Sequence, residues 1–554
     1  MVALLSDAAS EAEIMILTGS QTRAVTTGGN LLVLAGAGSG KTSTLVARCL
    51  SCILDPVAPV GVDELLVVTF ADAAAAEVRQ RLRDALAQTR NTAARPVADR
   101  LERQHALIES AHISTLHSFC LHVVRQHFHD LGLDPSVAVM REEQVELMME
   151  QSLDQIMERH LGGAAEEDEQ VQRAITNCAD GNEEKIRALV LKIHRFTQTL
   201  ANPRGWIDGQ LACVEEKTPA RWSEWLTEAL AEWSHEWGAV LSGMPESAVA
   251  QRFGARVSAA RGWPRHDVAG LLREIVQANQ RAPRGSNAKK SGLKDFFAES
   301  AFLQSLLAEG DPLAEDWQWV RGHIETLLRL AMEFSTCYSA SKREHAALDF
   351  HDLEQGALEL LLGKERGEPT AIAAEWRHRF KYILVDEYQD ITAAQDAILR
   401  ALARDGAEAN RFLVGDVKQS IYQFRSANPA IFQAYKAKWE KPGAAGRVVN
   451  LSENFRSAAP ILEFVNAVFG VLMRKDIGGV EYDAAAHLVR GELERPHPSG
   501  PCVEVRLRLN DRSPAPDEQD EAGENATDVE LEARLVASRL RELRDGGHRR
   551  WDSE

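Results

Sequence analysis

The sequence LLVLAGAGSGKTSTL at residues 31–45 joins an apolar run, a glycine-rich turn and the start of a helical pattern. The apolar residues 31–34 are typical of a buried parallel strand, and the small residues that follow let the backbone fold closely around an anion. Backbone N–H groups and the positive end of the next helix can hold phosphates, while Lys41 reaches the β and γ oxygens and Thr42 ligates Mg²⁺. The stretch therefore predicts a site for a nucleoside triphosphate with Mg²⁺.

This phosphate loop departs in one place from the usual pattern, which begins with glycine where the chain has Ala35. A plain glycine turn between a strand and a helix is the alternative interpretation. The residues expected to line the nucleotide are Ala35, Gly36, Ala37, Gly38, Ser39, Gly40, Lys41, Thr42 and Ser43.

A second apolar run, residues 382–385, ends in the adjacent carboxylates Asp386 and Glu387. Because the carboxyl ends of strands in a parallel sheet face one crevice, Asp386 can reach the Mg²⁺ beside Thr42. Glu387 can then take a proton from an attacking water. An acidic pair can also simply cap the next helix, but its combination with Lys41 favours triphosphate hydrolysis.

The composition sets limits on the other possibilities. A chain of 554 residues should form several domains, and its 45% hydrophobic and 26% charged residues are ordinary for a globular protein. The formal net charge of −19 argues against a generally basic nucleic-acid binder, although a local basic groove can still bind a strand.

The seven scattered cysteines do not form the pattern of a disulfide framework. The pair Cys49 and Cys52 lies on the predicted helix after the phosphate loop, where core packing is favoured over metal or redox chemistry. The first residues carry no positive region, and no apolar run approaches the ~20 residues that span a bilayer. We therefore predict a cytoplasmic protein without a membrane partner.

Further along the chain, residues 65–70 form a second buried-strand candidate, and residues 113–119 read Ile-Ser-Thr-Leu-His-Ser-Phe. Thr115, His117 and Phe119 alternate there, so an extended segment would place all three on one side, where they can meet a phosphate and a base. Core packing of the same three side chains is the alternative.

Residues 129–345 show long helical patterns and contain eight of the eleven tryptophans. Tryptophans at helical spacing are more often core residues than platforms for bases, so packing is favoured. The basic stretch 281–294 is either a solvated loop or a contact for phosphates, and the sequence leaves both interpretations open.

Four stretches together resemble the UvrD/Rep-type superfamily-one DNA helicases. They are AGAGSGKT at 35–42, DEYQD at 386–390, FLVGDVKQSIYQFR at 412–425 and LSENFRS at 451–457. The third of these, with DFHDL at 349–353, is closer to the AddA-type or RecB-type helicase-nuclease branch, whereas the phosphate loop is closer to UvrD. The helical middle matches only as an insertion at the expected place.

The resemblance implies roles for residues around the nucleotide. Gln21 would read adenine and Phe455 would stack on it, which makes the nucleotide ATP, although Gln21 considered by itself is expected at the surface. Gln419 would sense the γ-phosphate, and Arg456 would neutralise charge that develops during hydrolysis. Lys41, Asp386 and Glu387 complete the implied catalytic set.

The resemblance also implies single-stranded or partly duplex DNA as a partner, together with a second helicase-nuclease subunit. Phe70, Tyr422 and Phe424 would stack between bases, while Thr115 and His117 would contact the DNA backbone. The family usually has threonine and asparagine after the phenylalanine at position 70. This chain has Ala71 and Asp72 there, which removes a hydroxyl and adds a negative charge.

The expected fold class is α/β, with a RecA-like parallel-sheet core of the P-loop NTPase type, a large helical insertion and a partial second RecA-like domain. Residues 1–128 and 346–450 would form the ATP-binding domain 1A, residues 129–345 the helical domain 1B, and residues 451–554 an incomplete domain 2A. In the last of these we expect an amphipathic helix at 460–473, an alternating strand at 503–509, a disordered acidic loop at 512–528 and a helix at 529–543.

The sequence contains no recognisable fifth or sixth helicase motif and no nuclease domain, which predicts an N-terminal fragment or a truncated gene product. The expected function is that of an ATP-dependent DNA helicase or translocase acting in DNA repair or recombination, with 3′ to 5′ polarity implied by the resemblance. The alternative is a non-catalytic remnant that binds DNA or a partner protein.

Overall fold

The computed structural model describes residues 17–163, 165–216, 219–281, 293–308, 310–475, 480–483, 486–491, 503–507 and 527–547. The strands are β1 Asn30–Ala35, β2 Leu65–Thr69, β3 His112–Thr115, β4 Ala138–Val139, β5 Ala347–Leu348, β6 Tyr382–Val385, β7 Arg411–Gly415, β8 Gly446–Leu451, β9 Glu453–Asn454 and β10 Val489–Arg490. The helices in the first half are α1 Gly19–Thr26, α2 Lys41–Ile53, α3 Asp72–Thr92, α4 Arg95–Leu107, α5 Leu116–Gln126, α6 Glu142–Gly162, α7 Glu166–Ala179, α8 Glu183–Gln198, α9 Pro203–Val214, α10 Ala220–Ser242 and α11 Ala248–Ala259. The remaining helices are α12 Arg265–Arg281, α13 Lys294–Leu306, α14 Pro312–Glu344, α15 Phe350–Leu362, α16 Ala371–Arg379, α17 Ala393–Leu402, α18 Pro429–Trp439, α19 Ala459–Leu472 and α20 Asp528–Asp545.

Six parallel strands form the central sheet in the order β3-β2-β6-β7-β1-β8. The strands predicted at 31–34, 65–70 and 382–385 are therefore confirmed as β1, β2 and β6. Strand β7 lies between β1 and β6, with Leu34 opposite Gly415 and Val385 opposite Leu413. This register brings the segments after all three strands to one edge of the sheet.

Alternation along the strands supplies two hydrophobic cores, one on each face of the sheet. Leu32, Leu66 and Leu413 point to one face, where α5, α15, α16 and α17 pack. Leu31 and Leu65 point to the other face and contact α2, α3 and α4. Helices on both faces explain why these strands read as continuous apolar runs rather than alternating ones, and the RecA-like α/β class predicted from the sequence is confirmed.

The helical region between β4 and β5 has two further cores. Helices α10–α13 enclose one of them, and α6, α7, α8 and α14 enclose the other. Strands β4 and β5 pair in parallel where the chain enters and leaves this region, close to the predicted limits of 129 and 345. The packing interpretation is right for Trp233, Trp237 and Trp317, which are buried, whereas Trp225 and Trp319 are more than half exposed.

A buried charged cluster joins the end of this helical region to the sheet domain. The Lys342 ammonium on α14 lies 2.8 Å from Asp349 Oδ2 and 2.6 Å from Asp352 Oδ2, beside the start of α15. The Tyr338 hydroxyl donates to the same Asp349 oxygen at 2.9 Å. Burial raises the pKa of Asp349, but the Lys342 charge outweighs it, and the pKa lies at about 2.

Replacing Lys342 by alanine should lower the free energy of unfolding by ~3 kcal/mol, because two carboxylates would remain buried without their cation. Urea unfolding followed by tryptophan fluorescence measures this change. Lys364→Ala is a matched control, since Lys364 is exposed and lies 3.9 Å from Glu359, and it should change the value by less than ~0.5 kcal/mol. Equal effects of the two substitutions would contradict this role of Lys342.

Three predictions about local structure are wrong. Residues 113–119 are not one extended segment, because α5 begins at Leu116 and places Phe119 in the core against Trp376 and Phe380. Gln21 is buried rather than at the surface. Residues 503–507, predicted as part of a strand, have no strand pairing.

Helix α20 confirms the helix predicted at 529–543, and residues 498–554 form a separate compact unit. Within that unit Arg506 pairs with Glu542 at 2.7 Å, and Arg539 pairs with Glu504 at 2.5 Å. Most of the basic stretch 281–294 and of the acidic stretch 512–528 lies outside the described residues. Helix α19 confirms the amphipathic helix predicted at 460–473.

The part of the chain that the structure describes contains no helix both long and apolar enough to cross a bilayer. The proposed division into domains 1A, 1B and 2A stays a prediction. Strand β8 extends it in one respect, because it belongs to the central sheet up to Leu451.

Candidate nucleotide and DNA site

The phosphate loop runs from the end of β1 to the start of α2. Gly38 and Gly40 have φ values of +68° and +77°, in the left-handed region that favours glycine. The Ser39 hydroxyl donates to the Gly36 carbonyl at 2.8 Å and closes the loop on itself. Lys41 is the first residue of α2, so backbone N–H groups at the positive end of this helix are directed into the loop, as a phosphate site requires.

The side chain of Lys41 meets two of the predicted catalytic residues. Its Nζ donates to Glu387 Oε2 at 2.8 Å and to Gln419 Oε1 at 3.1 Å. These residues come from α2, from the turn after β6 and from the turn after β7. Residues 41, 387 and 419 of the sequence therefore converge at the edge of the sheet.

Asp386 is buried directly after β6. Burial raises its pKa to about 6, with the neighbouring Glu387 charge adding to this and Lys41 opposing it. A buried carboxylate in such surroundings favours a bound cation. Carboxylate and hydroxyl oxygens are ligands that Mg²⁺ prefers, so Asp386 fits the predicted metal role, with Thr42 at the start of α2 as its partner.

The Mg²⁺ requirement of ATP hydrolysis should depend on pH through Asp386. Since protonation and Mg²⁺ compete for this carboxylate, the Mg²⁺ concentration for half-maximal rate should rise as the pH falls through about 6. Titrations of ATPase rate against buffered free Mg²⁺ between about pH 5 and pH 8 measure this, with metal binding by the nucleotide itself accounted for. An Mg²⁺ requirement that stays constant over this range would contradict the assignment of Asp386.

The segment that carries Phe455 and Arg456 packs directly against the phosphate loop. The Phe455 N–H donates to the Gly38 carbonyl at 2.8 Å, and Asn454 Nδ2 donates to the Ala37 carbonyl at 2.5 Å. A Cβ added to Gly38 would lie only 2.7 Å from the Arg456 Cβ. Both residues thus lie at the predicted nucleotide site, and their roles toward adenine and the γ-phosphate stay predictions.

Gln21 also lies at the loop, in a position that its expected surface location did not suggest. Its Nε2 donates to the Ser39 carbonyl at 3.0 Å, and its Oε1 accepts from the Thr18 N–H at 2.9 Å. Both ends of the amide are therefore used within the protein. Reading of adenine by Gln21 requires at least one of these bonds to be exchanged for a bond to the base.

Two residues of this site were missed from the sequence, although they lie within quoted motifs. Gln389 of DEYQD donates from Nε2 to Glu387 Oε2 at 2.9 Å, and its Oε1 accepts from the Asp416 N–H at 2.9 Å. Gln419 Nε2 donates to Asp416 Oδ2 at 2.8 Å. Gln389 and Asp416 thus link Glu387 to Gln419, and an amide or carboxylate within such a motif is the signal that points to them.

The predicted base-stacking residues form a continuous aromatic row. The Phe70 and Tyr422 rings are stacked with centroids 4.6 Å apart, and the Phe424 centroid lies 5.8 Å from that of Tyr422. Phe424 is 77% exposed, which is unusual for so large an apolar side chain. The row follows the carboxyl ends of β2 and β7, next to the nucleotide site.

The two residues predicted to contact the DNA backbone differ in what they can offer. The Thr115 hydroxyl caps α5 by accepting from the Ser118 N–H at 3.3 Å, and it also donates to the Ser118 hydroxyl at 2.9 Å. His117 lies in the first turn of α5 with 38% of its side chain exposed. His117 is therefore the more accessible of the two.

Comparisons with known proteins agree with this geometry. Residues 17–440 match the family model described as the UvrD/REP helicase N-terminal domain. The chain is 35% identical over 96% of its length to an AddA-type ATP-dependent helicase/nuclease protein of Pelotomaculum thermopropionicum, of which it covers 46%. It is 36% identical to the protein of the same name from Moorella thermoacetica, with 86% of this chain and 36% of the relative covered. The chain thus spans less than half the length of these curated relatives.

Proposed function

The chain belongs to the UvrD/Rep helicase family, and from this we propose that it is the ATP-hydrolysing motor part of a DNA helicase or translocase. The convergence of Lys41, Glu387 and Gln419 within 3.1 Å contacts carries this proposal. Glycine turns are common, but a cation and a carboxylate brought together from distant parts of the sequence at the end of a phosphate loop fit triphosphate hydrolysis.

In the proposed reaction the loop backbone and Lys41 hold the β and γ phosphates of ATP, and Thr42 and Asp386 would hold Mg²⁺. Bound Mg²⁺ supplies charge neutralisation at these phosphates. Glu387, held by Gln389, takes the proton of the attacking water, while Arg456 stabilises charge on the γ-phosphate. Lys41 must first exchange its bond to Glu387 for bonds to phosphate, so nucleotide binding releases the base for its role.

The DNA path of this proposal follows the aromatic row. Bases of a single strand stack on Phe70, Tyr422 and Phe424, each stack contributing ~1 to 3 kcal/mol without reading the sequence. Gln419 lies three residues before Tyr422 on the same short segment, so a change at the γ-phosphate reaches the row directly. A second helicase-nuclease subunit, the 3′ to 5′ polarity and the role in repair or recombination are further parts of this proposal. They rest on the family and on the names of the relatives.

The test is the ATPase rate of the 554-residue chain with and without single-stranded DNA, alone and with a candidate partner subunit. Turnover that DNA stimulates supports the motor. Stimulation only after the partner is added supports a motor whose second half is supplied by another chain. DNA binding without turnover under every condition supports the alternative of a non-catalytic binding module.

A further inference from the structure

A buried carboxylate lies beneath the proposed DNA surface. Glu354 on α15 is 1% exposed, and its Oε1 lies 3.0 Å from Nε2 of His117. Within the described part of the chain, His117 supplies its one ion-pair partner. A carboxylate without water costs stability unless it is paired and hydrogen-bonded, so this contact is part of how the site is built.

Glu354 is held from a second side by α17. Gln395 Nε2 donates to the same Oε1 at 2.6 Å. The other end of this amide is already used, because Gln395 Oε1 accepts from the Thr392 N–H at 3.2 Å in the cap of α17. The amide is therefore oriented by its own helix, and it presents its donor to Glu354. Three helices, α5, α15 and α17, meet at this one oxygen.

The exposed side of the His117 ring faces the DNA surface. The Phe350 ring centroid lies 5.1 Å from the imidazole centroid, so the ring is held between an aromatic neighbour and the carboxylate. Since a carboxylate only accepts hydrogen bonds, Nε2 carries a hydrogen and donates to Glu354. A phosphate oxygen also only accepts, so a contact through Nδ1 needs a second hydrogen, and the ring is then a cation between two anions.

From these contacts we propose that Glu354 is a positioning residue for DNA: it orients the His117 imidazole and offsets its charge, without touching the strand itself. The proposal rests on the proposed function, since it requires a DNA backbone at His117. It adds a residue from the buried layer to the exposed row of Phe70, Tyr422 and Phe424.

The test is the affinity of the nucleotide-free 554-residue chain for a fluorescein-labelled oligothymidylate, measured by anisotropy. Glu354→Gln keeps the shape and removes the charge, and it should weaken binding by about fivefold. The slope of log affinity against log salt should become shallower by ~0.7, the value of one lost phosphate contact. Glu359→Gln, the same change on the same helix, should alter neither quantity.

A double-mutant cycle separates positioning from a general structural role. In a His117→Ala chain, Glu354→Gln should have no further effect on affinity, because its action passes through the imidazole. Effects that multiply, or a Glu354→Gln chain that binds as the unmodified chain does, would overturn the proposal. If Glu354→Gln loses its native circular dichroism, Gln395→Met replaces it, with the same loss of affinity and the same dependence on His117 expected. An unmodified chain that fails to bind the oligothymidylate would overturn the proposed DNA function as well.

Discussion

Replacing Lys41 by alanine should lower the maximal rate of DNA-stimulated ATP hydrolysis by about a hundredfold or more. The Lys41 ammonium is the cation at the end of the phosphate loop, and a charged donor directed at a transferring phosphoryl group acts most strongly where charge develops. Its contacts at 2.8 Å to Glu387 and 3.1 Å to Gln419 place it between the proposed base and the proposed γ-phosphate sensor. The measurement is steady-state ATPase with saturating single-stranded DNA.

The Lys41→Ala chain should keep its fold and its nucleotide-free affinity for DNA, because the aromatic row does not include this side chain. Lys364→Ala, which removes an exposed ammonium far along the sequence, is the matched control and should leave the rate unchanged. Turnover of the Lys41→Ala chain at a normal rate would rule out the phosphate loop as the site of hydrolysis.

The sequence predicted the parts of this site that depend on local chemistry. An apolar run followed by small residues and Lys41 specifies a strand, a turn and a helix whatever the rest of the chain does, and an apolar run before Asp386 specifies another strand end. The order of the strands was not predictable in this way. That β7 lies between β1 and β6 follows from tertiary packing, and it is this strand that brings Gln419 to Lys41.

The errors have physical causes that one sequence does not reveal. Alternation at Thr115, His117 and Phe119 is compatible with a strand, but Thr115 caps a helix, and a helix start resets the periodicity from two to 3.6. Gln21 is polar and near the beginning of the chain, which favours the surface. Its amide is buried because the Ser39 carbonyl and the Thr18 N–H satisfy it, and such pairing is visible only in three dimensions.

Replacing Glu387 by glutamine should lower the maximal ATPase rate by about a thousandfold, within the range that a lost general base typically costs, while ATP still binds. Glutamine has the same shape and keeps an oxygen that accepts from Lys41 and Gln389, so the geometry of the site is preserved. It has no basic oxygen to take the proton from water, which is the step assigned to Glu387.

The two substitutions therefore differ in a way that tests the assignment of roles. Lys41→Ala removes a group that holds phosphate, so it should weaken nucleotide binding as well as turnover. Glu387→Gln should leave the affinity for a fluorescent ATP analogue within a few fold of that of the unmodified chain and affect the rate alone. Glu359→Gln controls for the loss of a carboxylate elsewhere. Near-normal turnover after Glu387→Gln would mean that this carboxylate only pairs with Lys41, and another group would then have to activate the water.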